Sequence, residues 1–186
     1  MARGDRIHKG IAAFLLGQAP AMPAEIKTPF HQQIILEIKD NHPNAMVEQK
    51  WGFSKRWSTT PWMGKEVWLR SILDVGVVYG DGTTEVIDWK SGKKYGSNDE
   101  QVELFALTTM MKFHEDARDV TTRLVYIDAG SEETAEFKEK DKAKLLDKWN
   151  ANANKMLADR DFMPRPNDKC MFCDFSRSKG GPCRYG

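Results

Sequence analysis

The chain has 186 residues, 40% hydrophobic and 30% charged, which is the composition of an ordinary soluble globular protein with one core. Its 28 basic side chains nearly cancel 27 acidic ones and leave a net charge of +1, so any nucleic-acid contact must come from a local basic surface rather than from a polycation. No apolar run reaches the length that spans a bilayer and no apolar signal segment follows Met1, so the expectation is a cytoplasmic protein, in the producing or infected cell, with no membrane partner.

Helical spacing starts at once. Ile7, Ile11, Phe14 and Leu15 form a stripe over 6–16, with His8 at its edge, and 17–23 reads as a loop. Thr28-Pro29 has the form of a helix start, a capping hydroxyl followed by proline in the first turn. Ile34, Ile35 and Ile38 continue that second helix to about Asp40, and Pro43 breaks it. Strands are predicted over 45–53, 67–78 and 84–90, then a helix over 99–113 with Val102, Phe105, Ala106 and Thr109 at helical spacing. The short apolar run 124–127 predicts a strand buried on both faces. Residues 131–139 are polar and fit a loop or an edge strand. A long amphipathic helix over 141–159 carries Leu145, Leu146, Trp149 and Met156, and the tail from Phe162 has no periodicity. The expected organisation is one domain, 1–186, with a helical part at 1–44, a sheet and helix at 45–130, and a helix and cysteine tail at 140–186.

The most informative residues lie around a hairpin. Asp74 stands in S-I-L-D-V-G and Asp88 in V-I-D-W-K-S-G-K, with Gly80, Asp81 and Gly82 at the tip between them. If both arms are strands, Asp74 and Asp88 sit opposite one another, and alternation puts Asp88 and Lys90 on one face. Carboxylates inside apolar runs need a partner. Two converging acids repel unless a cation lies between them, and hard oxygen ligands suit Mg²⁺ or Mn²⁺. A lysine beside such a centre can orient water or stabilise developing negative charge. The bland alternatives are turn-flanking acids on a solvent face and a plain Asp88–Lys90 ion pair.

The D…D-x-K set, with His8 before it, Glu48 in M-V-E-Q-K-W and Gln101 in D-E-Q-V-E-L-F after it, resembles the PD-(D/E)XK nuclease superfamily in its RecB-type branch. The C-terminal C-M-F-C…C is similar to the cysteine region of CRISPR-adaptation nucleases and small phage exonucleases of that branch. The resemblance spans nearly the whole chain. It implies an α/β (α+β) fold with the restriction-endonuclease-like αβββαβ core. It also implies metal ligation by His8, Asp74, Asp88 and the Trp89 carbonyl. Lys90 is then the catalytic lysine, with Glu48 and Gln101 in the catalytic set. A histidine ligand tilts the metal preference toward Mn²⁺. The implied activity is metal-dependent DNA hydrolysis, as an exonuclease on single-stranded or frayed ends in phage or bacterial recombination and repair. A structure- or sequence-specific endonuclease and a non-catalytic DNA-end-binding module are the alternatives.

Three further readings remain. Gln101 also fits a capping box begun by Asn98, and Phe105 stands where the family's Q-x-x-x-Y motif has tyrosine. The stretch 50–68 interleaves Lys50, Lys55, Arg56 and Lys65 with Trp51, Phe53, Trp57, Trp62 and Trp68, which suits a single-strand path as well as an aromatic core face. Lys50, Lys55, Arg56 and Trp57, with Lys93 and Lys94 beyond the D-x-K, are the candidate DNA contacts. Cys170, Cys173 and Cys183 lack the fourth thiolate of a Zn²⁺ or iron–sulfur site. His31 is a candidate to complete it. Otherwise the tail is metal-free and held by packing of Phe172 and Phe175.

Overall fold

The computed structural model describes residues 3–92, 99–113, 119–161 and 163–185. Two compact units divide the chain, Met1–Asp147 and Lys148–Gly186. No helix among the described residues is long and apolar enough to cross a membrane.

The first unit begins with α1 (Arg3–Leu15) and α2 (Pro29–Asn41). Thr28 caps α2, its hydroxyl accepting the His31 N–H at 3.3 Å. Six strands follow: β1 (Met46–Phe53), β2 (Thr59–Thr60), β3 (Leu69–Val78), β4 (Thr84–Lys90), β5 (Val120–Tyr126) and β6 (Ser131–Phe137). Helix α3 (Asp99–Lys112) lies between β4 and β5, and α4 (Lys142–Ala158) begins in the first unit and ends in the second. The strands form one sheet in the order β2-β1-β3-β4-β5-β6. Only β4 and β5 are parallel. That parallel step needs a crossover, and α3 supplies it. With helices on both sides of this mixed sheet, the architecture is the restriction-endonuclease-like α/β fold expected.

The apolar residues sort into two layers. Ile7, Ile11, Ile34, Ile35 and Ile38 of α1 and α2 pack with Val75, Val77, Ile87, Trp89 and Val125. On the other face Trp51, Phe53, Leu73 and Val86 pack with Phe105, Ala106 and Met110 of α3. Leu73 and Val75 are two residues apart yet belong to different layers. Side chains two apart in a regular strand share a face, so the alternation of β3 reverses at Asp74. Glu48, opposite it, is as irregular: its φ is 51°, although Val47↔Val75 and Gln49↔Leu73 keep one register on either side.

Several boundaries differ from expectation. β5 starts at Val120 rather than 124, because Thr122 is buried and its hydroxyl donates to the Ala135 carbonyl at 3.3 Å. β-branched threonines suit a strand although they break an apolar run. Segment 131–139 is an edge strand as far as Phe137. The two-residue strand β2 was not foreseen, and β3 begins at Leu69. In the second unit, short 3₁₀ turns cover Asp168–Phe172 and Arg177–Lys179. Phe172 is 76% exposed and Phe175 68% exposed, so packing of these rings is not what holds the tail.

Candidate active site

The site begins where two strands part. The β3–β4 ladder runs from Val78↔Thr84 to Val75↔Ile87, and the next position in that register sets Asp74 against Asp88. There the Trp89 N–H donates to Asp74 Oδ2 at 2.8 Å. The carboxylate thus takes a donor that a continuing ladder would have used, and the fork it fills is part-buried.

Helix α1 brings His8 to the same point. Its Nδ1 lies 3.1 Å from Asp74, and this hydrogen bond raises the imidazole's pKa against the opposing effect of burial. Glu48 arrives from β1 through its left-handed backbone. One potential ligand atom each from His8, Glu48 and Asp74 lie within 4.8 Å of one another, the one such group of three among the described residues. Burial first, and then the charge of Asp74, raise the Glu48 carboxyl.

Asp88 and Lys90 leave β4 on the α3 side. The Lys90 ammonium lies 2.7 Å from Asp88 Oδ2 as a charge-assisted pair. Burial and then Asp74 raise the Asp88 carboxyl, with Lys90 opposing both. Gln101, in the first turn of α3, ties the pair together. Its carbonyl accepts from Lys90 Nζ at 2.7 Å and its amide donates to Asp88 Oδ1 at 3.2 Å. The glutamine side chain is thus committed to the site, and the cap proposed for it, Asn98, lies outside the described residues.

The donor set fits a hard divalent cation. Carboxylate oxygens of Glu48 and Asp74 converge with the His8 imidazole, and after burial the charge of Asp74 raises the carboxyls of Glu48 and Asp88.

The remaining candidates fall elsewhere. Trp57 is 3% exposed, packed against Phe53 and Trp68 with ring centroids 6.5 and 5.7 Å away, so its ring belongs to the core and is not presented to a strand of DNA. Lys55 and Arg56 line an open groove with Lys65 and Trp68. Lys50 is exposed on β1, two residues from Glu48. Lys93 and Lys94 lie outside the described residues. His31 is wholly buried in α2, and burial lowers its pKa. The thiols of Cys170, Cys173 and Cys183 are free. One residue that the sequence reading passed over, Arg70, stands on β3 opposite Gly52.

A mixed sheet forked at opposed acids, with helices on both faces, is the frame of a metal-dependent nuclease. A sequence profile of the PD-(D/E)XK nuclease superfamily matches residues 4–178, and the chain belongs to that superfamily. Among solved structures, one described as the crystal structure of SSO0001 is similar at a TM-score of 0.43 and 18% identity, over 83% of this chain and 65% of that one. No curated protein matches the chain.

Proposed function

We propose that the chain hydrolyses DNA phosphodiesters as an exonuclease on single-stranded or frayed ends, with Mg²⁺ or Mn²⁺ held by His8, Asp74, Asp88 and the Trp89 carbonyl. Glu48 completes the acidic shell. When bound, the ion supplies Lewis acidity toward the scissile phosphate and acidifies water. Lys90 places a positive charge beside that phosphate and holds the attacking water by a hydrogen bond. Gln101 fixes the lysine's ammonium and so limits its rotamers. The role in phage or bacterial recombination and repair, and the preference for ends, draw on the resemblance to small phage exonucleases. The observation that carries the reading is the Asp88–Lys90–Gln101 linkage beside the His8–Glu48–Asp74 group.

The test is incubation of end-labelled single-stranded, double-stranded and circular DNA with Mg²⁺, Mn²⁺ or chelator. Metal-dependent shortening from ends, with circles left intact, is expected. Asp88→Ala and Lys90→Ala should lose cleavage by about a thousandfold or more while keeping the melting transition. Asp88→Ala should bind DNA as well as the parent or better, since an acid facing phosphate is gone. Cutting of circles would make the enzyme an endonuclease. Cleavage at the parental rate in either variant would place the chemistry elsewhere.

A further inference from the structure

Beyond Asp74 the sheet presents a face that the α1–α2 layer does not cover. Trp51, Leu73 and Ser71 turn toward α3, Ser71 Oγ lying 3.4 Å from Thr108 Oγ1. Their strand neighbours therefore face the other way. Cross-strand pairing sets Lys50 against Ile72 and Gly52 against Arg70 on that opposite face, and Ile72 is 44% exposed.

The chain leaving β2 turns across this face at Gly52. A Cβ at Gly52 would meet the Thr60 carbonyl oxygen at 2.9 Å and that of Pro61 at 3.1 Å, both of them backbone atoms. The glycine thus admits the segment that carries Trp62. Arg70 Nε donates to the Trp62 carbonyl at 2.9 Å, and the guanidinium carbon sits 5.4 Å from the centre of the Trp62 ring. Lys50 Nζ is 5.8 Å from the same centre. Neither cation forms a carboxylate ion pair among the described residues. Arg70 spends one donor on Trp62, and among the described residues its Nη2 meets the Met63 sulfur at 3.9 Å, a weak acceptor. Two cations gathered on one ring with no carboxylate in ion-pair contact among the described residues attract an anion, although Lys50 also feels the charge of Glu48. Because the ring already carries cations, it orders them rather than stacking on a base.

We propose that Lys50 and Arg70, held over Trp62 on this open sheet face, clamp a backbone phosphate of single-stranded DNA on its approach to the acidic centre. The proposal rests on the nuclease reading and adds to it where the strand runs. Lys50 lies two residues along β1 from Glu48 and Arg70 four along β3 from Asp74, about 7 and 13 Å at the rise of a strand. That is reach for a phosphate flanking the scissile one. Trp62 is a positioning residue, and Gly52 is the gap that seats it.

The test is the salt dependence of binding of a labelled single-stranded oligonucleotide, measured by anisotropy with chelator present so that nothing is cut. Lys50→Ala and Arg70→Ala should each weaken binding and reduce the slope of log affinity against log salt, and the double variant should lose about 0.7, the contribution of one phosphate contact on a single strand. Trp62→Ala should weaken binding, and Trp62→Phe, which keeps a ring under the cations, should restore most of it. Parental slopes in both Lys50→Ala and Arg70→Ala would overturn the clamp, as would a slope lost on duplex DNA alone. These two positions are exposed, so a folding failure at Trp62 leaves the result readable. Failure of the nuclease reading shows separately, as cleavage that survives Asp88→Ala.

Discussion

Glu48 holds a left-handed backbone in the middle of a strand, φ 51°, where a side chain beyond Cβ is strained. The same residue brings a carboxylate into the acidic centre. Glycine accepts that conformation without the Cβ conflict, and alanine does not. Glu48→Gly should therefore be more stable than Glu48→Ala by about 1 kcal/mol, a difference of about 2–4 °C in melting temperature for a chain of this size. Both should cut DNA more slowly than the parent. Equal melting temperatures for the two variants would mean that Glu48 is not strained. Protons compete for the same group of residues. Burial and then Asp74 raise the carboxyls of Asp88 and Glu48, and the bond to Asp74 raises His8. Each group then binds its proton more tightly in the folded chain than in the unfolded one. The carboxyls favour folding in acid, and that contribution is lost as pH climbs from their unfolded values near about 4 through their folded ones; the contribution of His8 is complete below about 6.5 and fades above its raised pKa. Metal-free protein should therefore melt lower at about pH 8 than at about pH 6, and Mn²⁺ should raise the melting temperature more at the higher pH, where its ligands are already deprotonated. Calorimetry with and without Mn²⁺ at both pH values checks the sign. A larger Mn²⁺ shift at the lower pH would be inconsistent with this ligand set.

At the scale of elements, α3 is where sheet and site meet. Phe105, Ala106 and Met110 fix it against Trp51, Leu73 and Val86, and its first turn then overhangs the end of β4. Gln101 can bridge Lys90 and Asp88 because the helix is anchored there. Gln101→Ala should leave the fold and DNA binding in place and slow cleavage about tenfold to a hundredfold, the usual cost of removing a group that orients a reacting one. A single-turnover assay at saturating DNA separates that loss from a loss of binding; an unchanged rate would return the glutamine to the role of a cap. The sequence carried the hairpin, the α2 cap and the D…D-x-K spacing plainly, since each depends on neighbours in the chain. Reversal of the β3 alternation at Asp74 and the left-handed Glu48 were not legible, because they arise between strands. Neither was the crossing of Trp62 over Gly52, where the cue was a glycine whose missing side chain acquires meaning only beside β2. Trp57, read as a DNA contact from its basic neighbours, is buried because Phe53 and Trp68 take up its surface.

For the molecule as a whole, the open question is the second unit and its thiols. Cys173 N–H donates to the Cys170 carbonyl at 3.1 Å, Cys183 N–H to that of Phe175 at 2.9 Å, and the Asn167 N–H points at Cys170 Sγ at 3.4 Å. These bonds order short turns without drawing the sulfurs together. No group of three potential ligands among the described residues contains a cysteine, and His31 is enclosed by the core of the first unit. A soft metal asks for four donors, and a tight structural site would contribute folding free energy. Protein purified without chelator should accordingly hold less than stoichiometric zinc or iron by elemental analysis and show no iron–sulfur absorption in an anaerobic spectrum. Cys170→Ser should melt with the parent. Stoichiometric zinc together with a lowered melt on its removal would overturn this and call for a fourth ligand outside the three cysteines; a brown protein would call for a cluster with an unusual one. In each case Cys170→Ser should still cut DNA, because His8, Glu48, Asp74, Asp88 and Lys90 all belong to the first unit.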